Sequence, residues 1–215
     1  DRSDLSTMRQ GDRIVINDVP LSSQESVALD LVRFEVFTED AQVVVNSMSK
    51  DGVVATQPSE FPDVIFLRGQ IAGEPDSRVF LALGDRTTNG LIERPGQTCV
   101  IARHPEAGWT AIYDLGRVDP EMMDWVDVTC GVESIPQIAE APVESGPRGI
   151  DTDCPPRLRL AIETDWQFTG NLFGGDLEAS GEYAATLVAA MSSIYITDLE
   201  VGVQISYLSL WSDSL

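Results

Sequence analysis

RLRLAIETD, at Arg157–Asp165, is the stretch that decides the predicted fold. Its apolar residues alternate with charged or small ones, which predicts a β-strand. A long helix is predicted over Asp176–Asp198 and a second strand over Val201–Trp211, parallel to the first through a right-handed crossover. A strand–helix–strand unit needs a larger sheet to bury both faces. Because the unit ends at Leu215, we expect it to be the incomplete start of a longer α/β domain.

The predicted helix carries its own start signal and one apolar stripe. Asp176 follows Gly175 and is a suitable N-cap, and Glu178 lies in the first turn, where an acidic side chain is favourable. The large apolar side chains recur at helical spacing. We expect this stripe to face the sheet: Tyr183, Leu187, Met191 and Ile194 or Tyr195.

Residues 1–132 carry strand signals and almost no helical periodicity. Short β-branched or alternating runs are separated by Gly-, Pro- and Asp-bearing turns, which is typical of an antiparallel sandwich or barrel. The runs are Arg13–Ile16, Val27–Phe37, Gln42–Val45, Val64–Ala72, Arg78–Leu83, Gly90–Glu93, Thr98–Arg103 and Trp109–Leu115. In Val27–Phe37 the alternation changes phase near Arg33, which predicts a β-bulge.

The composition changes between residues 133 and 156. Five prolines in this segment prevent regular structure, so it is predicted to be an extended linker open to proteases. Arg148 is its most evident basic cleavage point. The predicted organisation is therefore a β-rich domain over 1–132, a linker over 133–156 and the truncated α/β unit over 157–215, α+β overall.

Composition and charge exclude several classes of function. An apolar fraction of 43% suffices for a packed core. Lys and Arg number 14 against 35 Asp and Glu, a net charge of −21, which repels nucleic acid and anionic membrane surfaces. No apolar run is long enough for a membrane span. The chain begins at Asp1 without a signal peptide, which we take to have been removed or never included.

Few residues are candidates for metal or nucleophilic chemistry. His104 is the only histidine, so three histidines cannot bind zinc within this chain. It lies beside Pro105 in a turn-like segment and is expected at the surface. Glu163 and Asp165, where the first strand of the α/β unit ends, are either cation ligands or solvated side chains.

A glycine-cornered hairpin brings the chain close to a known family. The segment FLRGQIAGEPDSRVFLALGDRTTNGLIERPGQTCVIAR, Phe66–Arg103, resembles the propeptide of reprolysin-type (adamalysin- or ADAM-like) zinc metalloproteases. The pattern is an apolar or aromatic residue before x-Gly-x-Ile-x-Gly, then a serine, a strand, Gly-Leu-Ile and a closing strand. It is carried by Gly69, Ile71, Gly73, Ser77, Gly90, Leu91 and Ile92.

Two later segments match the same family in the expected order. Cys130-Gly131-Val132 resembles its cysteine switch, and the two strands and helix after the linker look like the opening of the metzincin catalytic domain. The resemblance implies a secreted zinc endopeptidase zymogen. Its propeptide would aid folding of its own catalytic domain and inhibit it, and its substrates would be extracellular proteins.

The chain also departs from the family pattern. The His-Glu-x-x-His-x-x-Gly-x-x-His zinc signature and the Met-turn are absent, so the resemblance implies zinc only in the full-length protein and no activity in this portion. Asp127-Val128-Thr129 replaces the usual Pro-x-Met before the switch cysteine, and the family's propeptide hairpin cysteines are missing. An early-strand acidic residue that some relatives use for calcium is Arg159 here.

The resemblance gives Cys130 a regulatory role. A catalytic zinc keeps one open position for a polarised water, and a thiolate delivered there displaces that nucleophile. Cleavage of the linker would then release the thiolate. The alternatives are a disulfide from Cys130 to Cys154 or to Cys99, or an inert buried thiol.

Two other classes of function compete with the zymogen. The first is a non-enzymatic secreted β-sandwich for adhesion or binding, followed by an unrelated α/β piece. The second is a catalytically dead paralogue whose β domain inhibits an active relative. The zymogen alone requires a His-Glu-x-x-His helix encoded downstream.

Overall fold

The computed structural model describes residues 5–104, 107–119, 121 and 156–212. Within them eleven strands surround a single long helix, α1, at Leu177–Leu199. The strands are β1 Arg13–Ser22, β2 Glu25–Phe34, β3 Phe37–Met48, β4 Val54–Pro58, β5 Val64–Ile71, β6 Glu74–Gly84, β7 Thr88–Arg94, β8 Gln97–Arg103, β9 Thr110–Asp114, β10 Arg157–Glu163 and β11 Gly202–Trp211. Leu115–Arg117 forms a 3₁₀ turn and Phe168–Leu172 a π-helical turn.

The larger sheet is antiparallel and contains seven strands in the order β1-β2-β5-β6-β7-β8-β9. Its outer strands, β1 and β9, contact each other, so the sheet curls into a half-barrel. Turn chemistry explains the hairpins: Gly73 joins β5 to β6 and Gly96 joins β7 to β8, both with positive φ angles that glycine adopts without strain.

The smaller sheet combines strands from the two ends of the chain. Its order is β10-β11-β3-β4, and β11 pairs in parallel with both β10 and β3, whereas β4 is antiparallel to β3. The parallel arrangement of β10 and β11 agrees with the sequence prediction. The segment that forms β3 was expected in the antiparallel domain instead, and β4 was not predicted as a strand.

The chain changes sheets at Glu35-Val36, where one continuous strand with a bulge was predicted. β2 ends at Phe34 and β3 begins at Phe37, and Val36 between them is fully buried. The change of phase near Arg33 therefore marks the passage from the half-barrel to the smaller sheet, and the predicted bulge is wrong.

Two apolar cores lie on opposite faces of the half-barrel sheet. Alternate residues of β5 point to opposite sides, so Ile65 and Leu67 belong to the core inside the curl and Val64 and Phe66 to the core outside it. The outer core also contains residues of α1, β3 and β11, among them Val188. α1 therefore lies between the two sheets.

The predicted fold class is wrong. Of the described residues 54% are in strands and 22% are helical, and the chain forms a curled antiparallel half-barrel with one long helix. The expectation was an α+β chain with a sandwich or barrel followed by an incomplete metzincin α/β unit. That unit is not formed, because β3 and β4 complete the sheet of β10 and β11 and the half-barrel shares the core of α1.

The orientation predicted for the helix is also wrong. Leu187 is 50% exposed and Tyr183 37%, and of the predicted stripe only Met191 packs against the core between the sheets. The buried face consists mainly of small residues: Ser180, Gly181, Ala184, Ala185, Val188, Ala189 and Ser192. Small side chains let the helix approach two sheets at once, and Asp176 caps its N-terminus as predicted by accepting from the Ala179 amide at 3.0 Å.

No described helix combines the length and apolar character needed to cross a membrane.

Candidate functional site: the junction of the two parts

The described residues before and after the predicted linker form two parts, 5–121 (the N-terminal part) and 156–212 (the C-terminal part). The surfaces where these parts meet are called the junction. Its backbone contacts run between β3 and β11: the Ile205 amide donates to the Val36 carbonyl at 2.7 Å, and the Ser212 amide to the Asn46 carbonyl at 2.9 Å. Phe37 lies opposite Ile205, and after an irregularity in β3 the parallel register runs without a break from Gln42 opposite Tyr207 to Asn46 opposite Trp211.

The sequence of β3 suits this central position. Val43 and Val44 are both buried although they point to opposite faces, and Val45 extends the apolar run. A continuous run of β-branched residues is typical of a strand covered on both faces. Here Val43 packs in the core that also contains residues of α1, and β11 and β4 flank β3 on its two edges.

A buried polar network fixes the register of the junction. The Asn46 side chain is 7% exposed, and its Nδ2 donates to Ser209 Oγ on β11 at 2.8 Å. Its Oδ1 accepts from Thr56 Oγ1 on β4 at 2.7 Å. A shift of β3 along β11 by one residue would leave these buried polar groups without hydrogen-bond partners, which costs about 1–3 kcal/mol of stability for each group.

The helix completes the junction through close packing. Gly181 lies where a Cβ would be 3.3 Å from side-chain atoms of both Leu210 and Pro62, so a larger residue would push α1 away from β11. Glu182 is only 1% exposed, and its carboxylate lies opposite Gly84 of β6, where a Cβ would be 3.0 Å from Oε2. Glycine at position 84 therefore makes room for a buried carboxylate between the two parts.

Ion pairs cross the rim of the junction between largely exposed side chains. They join Arg86 to Asp176, Arg78 to Asp198 at 2.8 Å and Arg159 to Asp40 at 2.7 Å. The hydrogen bond from the Arg159 guanidinium lowers the pKa of the Asp40 carboxyl. Exposed pairs of this kind add little stability, so they orient the rim while the core holds the parts together.

A cleft of about 680 Å³ opens beside the N-terminus of α1. Arg86 and Arg103 line it together with Tyr183. Arg86 already contacts the carboxylates of Asp176 and, at 3.5 Å, Glu178. The guanidinium of Arg86 is therefore balanced by the acidic first turn of α1.

The predicted regulatory residues fall outside the described part of the chain. This applies to the switch candidate Cys130, to its disulfide candidate Cys154 and to the cleavage candidate Arg148. Their roles stay predictions. Cys99 is a buried thiol without a disulfide to any described residue, and burial first, then the nearby Asp114 carboxylate, raises its pKa.

The acidic candidates at the end of β10 have local structural roles. Glu163 Oε1 accepts from the indole of Trp211 at 2.9 Å, and Asp165 Oδ1 accepts from the Phe168 amide at 2.7 Å. Within the described ranges no group of three or more His, Cys, Asp or Glu side chains could hold a metal ion. Arg159, at the position where some members of the resembled family have a calcium ligand, pairs with Asp40.

The residues of the propeptide-like motif shape the β5–β6 hairpin. A Cβ at Gly69 would lie 2.0 Å from the Asp30 carbonyl oxygen, so only glycine allows β2 and β5 to approach. Ser77 Oγ accepts from the Ile71 amide at 2.8 Å and donates to the Glu74 carbonyl at 2.6 Å, which closes the hairpin. In this structure, Gly69 and Ser77 of the motif therefore have a structural role, since they shape the β5–β6 hairpin of the half-barrel.

The sequence analysis missed the polar residues of the junction. Asn46 and Ser209 are distant in sequence, and neither matches a motif. One signal was available: the uninterrupted Val43-Val44-Val45 run favours a central strand over an antiparallel strand with one solvated face.

Comparison with known proteins does not extend this description. A scan against protein-family models and a search of curated proteins both give no significant match.

Proposed function

We propose that this chain is the N-terminal portion of a secreted zinc metalloendopeptidase precursor, in which residues 1–132 act as a folding aid and latent inhibitor. The resemblance of Phe66–Arg103 and Cys130-Gly131-Val132 to reprolysin-type propeptides suggests the family. The observation that carries the folding-aid role is the shared sheet and core: β3 pairs with β11, and α1 packs against β5, β6 and β11.

The C-terminal part depends on this contact for physical reasons. Ile205 and Leu208 of β11 are fully buried, and the outer core that buries them includes Val36 and Val43 of the N-terminal part. Without β3, one edge of β11 would lose its hydrogen bonds and this apolar surface would meet water. A propeptide that supplies a strand and half of a core is suited to guiding folding before it is cut away.

The proposal places zinc on residues beyond this chain, since the described residues offer no suitable set of ligands. When bound, the metal would supply the polarised water that attacks the peptide bond. The role of this chain is to fold the C-terminal part and to keep the precursor latent. Cys130 is the proposed source of the inhibitory thiolate.

The folding role is tested by replacing the predicted linker segment around Arg148 with a specific protease site and cutting the purified full chain. We expect the two pieces to stay associated after cleavage and to separate only in denaturant. After separation, the C-terminal piece should regain its circular dichroism spectrum only when the N-terminal piece is added. Independent refolding of the C-terminal piece to the same spectrum would contradict the proposal.

Two valine variants provide the matched control. Val36→Asn in the fully buried strand connection should abolish association of the cut pieces. Val15→Asn, at a site that is 52% exposed on β1, should leave it unchanged.

The protease assignment is tested separately in the gene. If the reading frame continues past Leu215 with a His-Glu-x-x-His-x-x-Gly-x-x-His signature, Cys130→Ala in that precursor should release activity before the linker is cut. A stop codon directly after Leu215 would end the protease assignment, whatever the folding experiment gives.

A further inference from the structure

β10 lies at one edge of the smaller sheet, and no described strand pairs with its outer side. Two hydrogen bonds to the β11 side establish which backbone groups point outward. The Pro156 carbonyl accepts from the Gly202 amide, and the Thr164 amide donates to the Ser209 carbonyl, both at 2.9 Å. Because backbone direction alternates along a strand, the even-numbered residues face β11 and the odd-numbered ones face outward. The outward groups belong to Arg157, Arg159, Ala161 and Glu163.

The other edge of the same sheet is interrupted by a proline. On either side of β4, the Val53 carbonyl accepts from the Ser49 amide and the Ser59 amide donates to the Val43 carbonyl, so the even-numbered positions between them face outward. Pro58 is one of these positions, and proline has no amide hydrogen to offer a further strand. Among the described residues, β10 carries no proline at an outward-facing position, so it is the edge of this sheet better able to pair with another strand.

Apolar surface accompanies the open edge. Leu158 of β10 is 52% exposed. Ile162 and the half-exposed Leu187 of α1 line a neighbouring groove of about 330 Å³. One helical turn beyond the partly buried Met191, Ile194 of α1 is also 41% exposed. An open strand edge beside an apolar stripe favours pairing with another strand.

The sequence of β10, RLRLAIE, is complementary to itself when it is reversed about Leu160. Antiparallel pairing places Arg157 opposite Glu163 of a second copy, so unlike charges meet at both ends. Leu158 then lies opposite Ile162 of the second copy, on the face towards α1. The outward-facing residues become the hydrogen-bonded pairs of this register, so backbone, charge and apolar surface all favour the same alignment.

We propose that β10 is the interface of a two-fold symmetric homodimer. The two β10 strands pair antiparallel about Leu160 and join the two smaller sheets into one continuous sheet. Such an interface is isologous, since the same residues serve both copies. The net charge of −21 on each copy opposes association, so the dimer exchanges reversibly with the monomer.

The test is sedimentation velocity of the full chain over a range of concentrations at physiological salt. We expect a shift from monomer to dimer with rising concentration. Ala161→Pro removes an outward amide without affecting the ladder to β11, so it should hold the chain monomeric. The matched control is Val54→Pro, at an outward-facing position on the β4 edge, which should leave the dimer intact.

Charge reversal provides an independent test of the register. Glu163→Arg should prevent association by placing like charges opposite each other, and the double variant Arg157→Glu, Glu163→Arg should restore it. Amide hydrogen exchange on the unmodified chain needs no variant, and the Arg159 and Ala161 amides should become more protected as concentration rises. A chain that stays monomeric throughout, exchange at these amides that is independent of concentration, or a double variant that is not restored would each overturn the proposal.

Discussion

Two neighbouring residues of α1 distinguish the observed helix orientation from the one that its large apolar stripe predicts. Val188 is 6% exposed in the shared core, and Leu187 is 50% exposed beside it. Val188→Ala removes two carbons at about 0.8 kcal/mol each and leaves a cavity, so it should lower the free energy of unfolding by about 2–3 kcal/mol. Leu187→Ala removes three carbons that are already half exposed to solvent, and alanine has the higher helix propensity. It should therefore lower the free energy of unfolding by about 1 kcal/mol or less.

The assay is equilibrium urea unfolding of the full chain, followed by tryptophan fluorescence and far-UV circular dichroism at concentrations where the chain is monomeric. The expected result is that the smaller truncation has the larger effect. If Leu187→Ala instead costs about 2–5 kcal/mol, as a buried leucine does, and Val188→Ala costs almost nothing, α1 is turned to the opposite face and the account of the junction is refuted.

Two further predictions concern the half-barrel and the rim of the junction. Gly69→Ala should lower the free energy of unfolding by about 1–3 kcal/mol or more in the same assay. The new Cβ would meet the Asp30 carbonyl, and β2 must move by about 1 Å or more to release this contact. A neutral effect would show that β2 and β5 are further apart than described. The hydrogen bond with Arg159 lowers the pKa of Asp40 in the folded chain. The contribution of Asp40 to stability is therefore present above its unfolded-state pKa and is lost as pH falls through its lower folded-state pKa. Asp40→Asn should therefore lower the free energy of unfolding slightly at pH 7, where the exposed pair contributes, and make stability less dependent on pH below about pH 4; an unchanged acid profile would show that the pair does not persist in solution.

Local elements were largely predictable from the sequence. Alternation and turn residues located the strands of the half-barrel, and Asp176 marked the start of α1, because these signals depend on neighbouring residues. The two prolines at the end of the linker, Pro155 and Pro156, directly precede β10, whose start at Arg157 was predicted.

The helix face was not predictable from periodicity alone. α1 has two apolar faces, one with Leu187 and other large residues and one rich in alanine, including Ala185 and Ala189. If side-chain size alone is considered, the face with the larger apolar residues is the expected core face. Burial between two sheets favours the second, since only small side chains let β11 and the half-barrel approach from both sides.

The choice of strand partners separates what sequence and tertiary structure each determine. Strand-forming segments within Phe37–Met48 and Gly202–Trp211 were predictable from local sequence, because β-propensity and alternation are local properties. Backbone hydrogen bonds between strands are the same for any partner, so nothing local directs β3 to β11. The tertiary structure made that choice by burying Val36, Ile205 and Leu208 in one core and by joining Asn46 to Ser209.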